Sequence, residues 1–192
     1  MTDWFNIIPL LVIFVGGVLF LISSRKPVVF ASVGSIMVAE FIIDFQFGSF
    51  SSALVRLVAS LSALFAIYLS MKEINNSLPI IPRNSAFFRI TAYIMFVSVS
   101  VLLATGISDF LGIPIEITVG GLIAIFCGLL QLGISTSPSK VVIGIIILDI
   151  GFASIYCILE SSLLVNGLIS AVLLLLGGLG AYFVVREVTV EN

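Results

Sequence analysis

"MVAEFIIDFQFGSFSSALVRL", residues 37–57, puts Glu40, Asp44 and Arg56 within seventeen residues, among side chains that otherwise partition into hydrocarbon. Gly48 divides the stretch into two apolar runs, and how those runs are read decides the fold. The 192-residue chain around it is 60% hydrophobic and only 9% charged, with a mean hydropathy of +1.34. A soluble domain is nearer half apolar and a quarter charged, so the composition is that of a membrane protein. A formal charge of −2, from 8 basic and 10 acidic residues, gives no reason to expect a nucleic-acid partner. With no His, the commonest near-neutral proton shuttle and metal ligand are both missing.

A helix needs about 20 largely apolar residues to cross hydrocarbon. Seven segments reach that length: Trp4–Ile22, Val28–Phe45, Phe50–Met71, Phe88–Ile107, Ile115–Thr136, Val141–Leu159 and Leu163–Val184. The breaks between them carry turn or polar chemistry, among them "SSRKP", "QFGS", "SDFLGIP", "STSPSK" and "ESS". The central break, "KEINNSLPIIPRNS", is the longest, and none is long enough for a separate domain. The expectation is an all-α, polytopic membrane protein of seven transmembrane helices, with residues 1–192 as one integral membrane domain.

The basic residues orient it. Arg25, Lys26, Lys72, Arg83, Arg89, Lys140 and Arg186 fall in or beside alternate connections, while the opposite ends hold only Asp3, Asp109, Glu116 and Glu160. The positive-inside bias then puts the amino terminus outside and the carboxyl terminus in the cytoplasm of a cell (plasma or inner) membrane. The start, "MTDWFN", lacks the positive charge of a signal peptide, and no small-x-small cleavage site follows the first run, so that run is expected to stay as a span. Trp4 reads as an interfacial anchor.

Four ionisable residues remain at membrane depth: Glu40, Asp44, Arg56 and Asp149. Each costs about 2.5–3.5 kcal/mol near a helix centre on insertion scales, so each needs a partner, a cavity or neutralisation. Glu40 and Asp44, four apart, share one helix face. Glu40 lies eight residues before Gly48 (48 − 40) and Arg56 eight after it (56 − 48), level across an antiparallel hairpin, which predicts a Glu40–Arg56 ion pair. Asp44 either reaches the long arginine side chain or meets water. Such charges serve to pin two helices together, to relay protons or ions, or to dock a partner subunit. Asp149 has no basic residue at its depth in its own hairpin, and the last helix offers it Asn166, Ser162 and Ser170. Burial disfavours the charged form of a carboxyl, so Asp149 is the leading candidate for a titrating group, the alternative being a satisfied interhelical hydrogen bond.

Ala124-xxx-Gly128, Gly167-xxx-Ala171 and the "GGLG" of Gly177, Gly178 and Gly180 are patterns that let helices approach closely. Cys127 and Cys157 read as small core residues. They lie 11 and 19 residues from the turn near position 138 (138 − 127 and 157 − 138), too far apart in depth for a disulfide. No phosphate-binding loop, zincin helix, Cys/His cluster or nucleophile elbow appears, so no catalytic residue, metal site or cofactor is expected.

Further along, "SPSKVVIGIIILDIGFASIYCIL" (residues 137–159) and "SLLVNGLISAVLLLLGGLGAYFVVRE" (residues 162–187) carry a basic residue, three apolar positions and Gly (Lys140 to Gly144), an acid on the same helix, and a last helix ending in Arg186. This part, residues 115–186, resembles the three-helix K-type membrane protein of respiratory complex I and its small C-type counterpart in multisubunit cation/proton antiporters. The acid five residues after the glycine (149 − 144) is more similar to the E-type membrane component of group 4 NiFe hydrogenases, of the formate hydrogenlyase type. In complex I the acid comes earlier, where this chain has Ile146. Extra helices before the K-like part suit the four leading spans in residues 1–108. The family usually has another acid in the last helix, and here the polar group is Asn166.

The resemblance implies a non-catalytic membrane subunit, without cofactor, in a complex I-like or hydrogenase-related ion pump whose other membrane subunits are its partners in the bilayer. Asp149 would be the carboxyl-terminal relay group, Glu40, Arg56 and Asp44 the amino-terminal charges, and Asn166 and Lys140 supporting polar residues. A scaffold whose charges only associate helices is the alternative from another class. A small-solute transporter is the third, although the sequence has no convincing inverted repeat and no matched pair of broken helices.

Overall fold

Buried backbone polar groups in an apolar medium must be satisfied within their own segment, and helices do this. In the computed structural model, described for residues 3–73, 83–135, 137–160 and 162–191, seven α-helices are found. They are α1 (Asp3–Ile22), α2 (Lys26–Phe47), α3 (Phe50–Glu73), α4 (Arg83–Leu111), α5 (Ile115–Ile134), α6 (Pro138–Leu159) and α7 (Leu163–Glu191). Six are long and apolar enough to cross a membrane; in α1 the corresponding apolar stretch, Asn6–Ile22, is shorter. Residues 74–82 of the central connection, and the side chain of Trp4, lie outside the described residues.

Helix ends follow local chemistry. Proline sits in the first turn of α2 and of α6, where no intrahelical amide bond is lost. α4 ends at Gly112, whose φ of +68° is the left-handed conformation glycine adopts cheaply; its N–H donates to the Ser108 carbonyl at 2.8 Å. The "SDFL" expected in a break therefore continues the helix, and α4 reaches 29 residues.

The bundle packs most closely along α5 and α6. A Cβ on Gly128 would stand 2.5 Å from the Gly144 carbonyl oxygen, and one on Gly151 2.5 Å from that of Gly121 and 2.8 Å from the Ala124 Cβ. Ala124 and Gly128 thus serve the close approach expected of them, with α6 as the partner. On α7, Gly177 faces Ala63 of α3 and Gly180 faces Val142 of α6. A Cβ on Gly167 would meet nothing within 4 Å, so the Gly167–Ala171 pair does not serve packing inside this chain. α2, α5 and α6 are the most enclosed helices, α4 and α7 the least. Exposed Leu, Phe and Val side chains cover the outside, as lipid contact requires.

The two ends of the bundle differ in charge. At one, Lys26 Nζ donates to the Met71 carbonyl at 2.8 Å, Lys140 Nζ to that of Ser23 at 3.0 Å, and Arg89 Nη1 to that of Leu21 at 3.2 Å. Cations there cover carbonyls left without intrahelical donors at the ends of α1 and α3. At the other end, Asn6 Nδ2 donates to Glu116 Oε1 at 3.1 Å and ties α1 to α5.

Replacing Gly128 by Ala should cost about 1–3 kcal/mol, since the methyl meets backbone that cannot give way. Gly167→Ala should be neutral or mildly stabilising. Thermal unfolding of both variants in the same detergent checks the contrast.

Candidate functional site

α2 presents Glu40 and Asp44 one turn apart, both almost wholly enclosed (1% and 4% exposed), and α3 brings Arg56, 7% exposed, against them. The ion pair forms between Arg56 Nη2 and Asp44 Oδ2. The expected Glu40–Arg56 pair is therefore corrected, and of the two outcomes open to Asp44 the first holds. Equal depth of Cα atoms misleads because helical side chains lean toward their own N-terminus. α3 starts at the turn, so Arg56 leans toward the turn and meets Asp44; α2 ends there, so Glu40 leans away.

α6 completes the cluster with two residues that their sequence context does not single out. Ser154 Oγ stands 2.9 Å from Glu40 Oε2 and 3.0 Å from Asp44 Oδ1. Cys157 Sγ accepts from Arg56 Nη2 at 3.1 Å, which makes it part of the charged site instead of plain core filling. Cys127 and Cys157 are both free thiols. Ser154 and Cys157, three residues apart, share one face of α6, and that pair was the only signal available.

Asp149 joins the same place. A cavity of about 20 Å³, room for a water molecule, is lined by Glu40, Asp44, Arg56, Ser60, Asp149 and Ser170 among apolar side chains. The amino-terminal charges and the carboxyl-terminal acid, expected as separate sites, thus share one cavity between α2, α3, α6 and α7. Of the α7 groups expected opposite Asp149, Ser170 alone lines it. Asn166 turns to the α6–α7 connection, where its Nδ2 donates to the carbonyls of Glu160 and Ser162, each at 3.2 Å. Lys140 lies at the cationic end on the Ser23 carbonyl. Neither supports the cluster directly.

Electrostatically the cavity is unbalanced. One guanidinium faces three carboxyls, and after the Asp44–Arg56 pair is formed, Glu40 and Asp149 have no cation among the lining residues. Glu40 is enclosed and Asp149 half-buried with its Oδ2 covered, and a carboxyl shielded from water without a counter-charge needs a proton or a cation. Glu40 Oε1, Asp149 Oδ2 and Arg56 Nε have no hydrogen-bond partner, and each such buried atom costs about 1–3 kcal/mol if it stays so. Among the described residues no three His, Cys, Asp or Glu side chains are gathered to hold a metal ion.

Long apolar helices wrapped around a buried charge cluster define a multi-pass membrane protein. No family model, curated protein or solved structure matches the chain.

Removing one member of a buried pair leaves the other uncompensated, at about 3–5 kcal/mol. Asp44→Asn should therefore lower stability by that order, and Glu40→Gln by clearly less. Adding Arg56→Met to Asp44→Asn should recover most of the loss, whereas adding it to Glu40→Gln should not; denaturant unfolding of the two cycles checks the assignment.

Proposed function

We propose that this chain is a non-catalytic integral membrane subunit that contributes to proton or sodium translocation through its buried charged residues. One observation carries the reading: Glu40, Asp44, Arg56 and Asp149, from three helices, line a single cavity in which acids outnumber bases. Such an imbalance is chemically useful when a cation enters and leaves, and costs stability otherwise. Asp149 and Glu40 are the groups that exchange the ion. Asp44 and Arg56 hold the local field, and Ser154 links the two α2 carboxyls. The likeness of residues 115–186 to the E-type membrane component of group 4 NiFe hydrogenases supports a place in a redox-driven complex with other membrane subunits.

A scaffold role is favoured by a different observation: the Arg56–Asp44 pair and the Ser154 contacts bind α2, α3 and α6 together. That reading leaves Asp149, which bonds to none of them, without a task. The charge-lined cavity, of about 20 Å³, has no room for a small organic solute. In the membrane the chain makes seven crossings, α1 included, with the cationic ends of Lys26, Arg89 and Lys140 in the cytoplasm.

Purification in a gentle detergent should recover larger membrane subunits and iron–sulfur proteins with this chain. Within that complex, Asp149→Asn should lower ion pumping per electron transferred by tenfold or more at unchanged subunit content. Recovery of the chain alone, or full pumping by Asp149→Asn, would sink the proposal. Single cysteines introduced near Gly112 and near Ser23, in a chain lacking Cys127 and Cys157, test the orientation: an impermeant maleimide applied to intact cells should label the first and not the second.

A further inference from the structure

The three unpartnered atoms of the cavity-lining residues are two acceptors and one donor: Glu40 Oε1, Asp149 Oδ2 and Arg56 Nε. A water molecule is their complement. Its oxygen accepts from the guanidinium and its two hydrogens serve the two carboxyls, giving the three bonds usual for a buried water. The cavity, about 20 Å³, exceeds the roughly 10–15 Å³ that one water requires.

A dehydrated sodium ion is a poor match. It takes oxygen ligands alone, and it would lie against the Nε–H of Arg56, whose charge repels it and whose hydrogen would remain unserved. We infer that one ordered water bridges Arg56, Glu40 and Asp149, joining Asp149 to the Arg56–Asp44 pair, and that the ion this site takes is the proton and not sodium. The second half rests on the reading that the cluster takes up an ion at all.

The surroundings agree from every side. α2 contributes Glu40 and Asp44, α3 contributes Arg56, and α6 contributes Asp149 with the Cys157 thiol on the arginine. α7 lines the cavity with Ser170, Ile169 and Leu173 and adds no charge. Two carboxyls, Glu40 and Asp149, can thus exchange a proton, with the water as the step between the α2 and α6 acids. The guanidinium keeps the site from collecting metal cations. No covalent bond to carbon is made or broken; a proton passes from one carboxyl oxygen to the water while another leaves the water for the second carboxyl.

The test uses the purified protein, in whatever complex it comes, with sodium exchanged for potassium or choline at constant ionic strength. A bound ion raises Tm progressively with its concentration. No sodium-specific shift of Tm is expected, in the native protein or in Glu40→Gln. A sodium-specific rise that Glu40→Gln abolishes would overturn the proton assignment while leaving ion translocation standing. A density map resolving waters decides the other half: a peak at hydrogen-bond distance from all three atoms is expected, and an empty cavity or an ion held by oxygens alone would refute it. Unimpaired pumping by Asp149→Asn would instead defeat the translocation reading and leave the water in place, so the two failures are separable.

Discussion

A guanidinium carried into hydrocarbon has to be compensated where it stands, and the inner arrangement of this bundle follows from that requirement at Arg56. The pair with Asp44 closes the α2–α3 hairpin around the turn at Gly48. The remaining guanidinium hydrogens need acceptors, and the Cys157 sulfur supplies one, which draws α6 against α3. α6 comes near enough to bring Ser154 onto both α2 carboxyls. Behind it, the glycines of α5 and α6 let these two helices meet backbone to backbone. The charge cluster therefore rests on a close-packed wall on one side, and has α7 with its small residues on the other.

Much of the fold could be read in the sequence because its determinants are local. Seven apolar runs, separated by Gly, Pro, Ser and charged residues, become seven helices with ends within a few residues of those expected, except at α7, which runs seven residues past Val184 to Glu191 (191 − 184), and at α4. There Gly112, not the polar "SDF" before it, is the true stop, because only the glycine takes a left-handed φ. The site was legible in its residue types and not in its connections. Glu40, Asp44, Arg56 and Asp149 stand out as charges in apolar helices, but counting Cα positions from Gly48 ignores the lean of side chains. The partner of Arg56 was therefore misassigned by one turn. Nothing local says that α6 lies against α2 and α3, so the meeting of Asp149 with residues about a hundred positions earlier is a purely tertiary fact.

The same distinction sorts the residues that looked functional. Lys140 and Asn166 serve helix ends, one on the Ser23 carbonyl and one on those of Glu160 and Ser162. Their positions in the sequence beside Asp149 gave them an importance that their surroundings do not. Ser154 and Cys157, inconspicuous in an apolar run, hold the centre.

Ser154 carries one further implication. Its hydroxyl has a single hydrogen, yet two carboxyl oxygens stand within 3.0 Å of its oxygen, one from Glu40 and one from Asp44. Both contacts are hydrogen bonds together only when one of those acids contributes a hydrogen of its own, which the serine oxygen then accepts. With neither acid bearing one, the hydroxyl must choose, and the unchosen oxygen faces a lone pair. The serine thus counts: its rotation differs between the bare and the singly loaded cluster, and a vibrational probe on that one O–H would read the occupancy of the site.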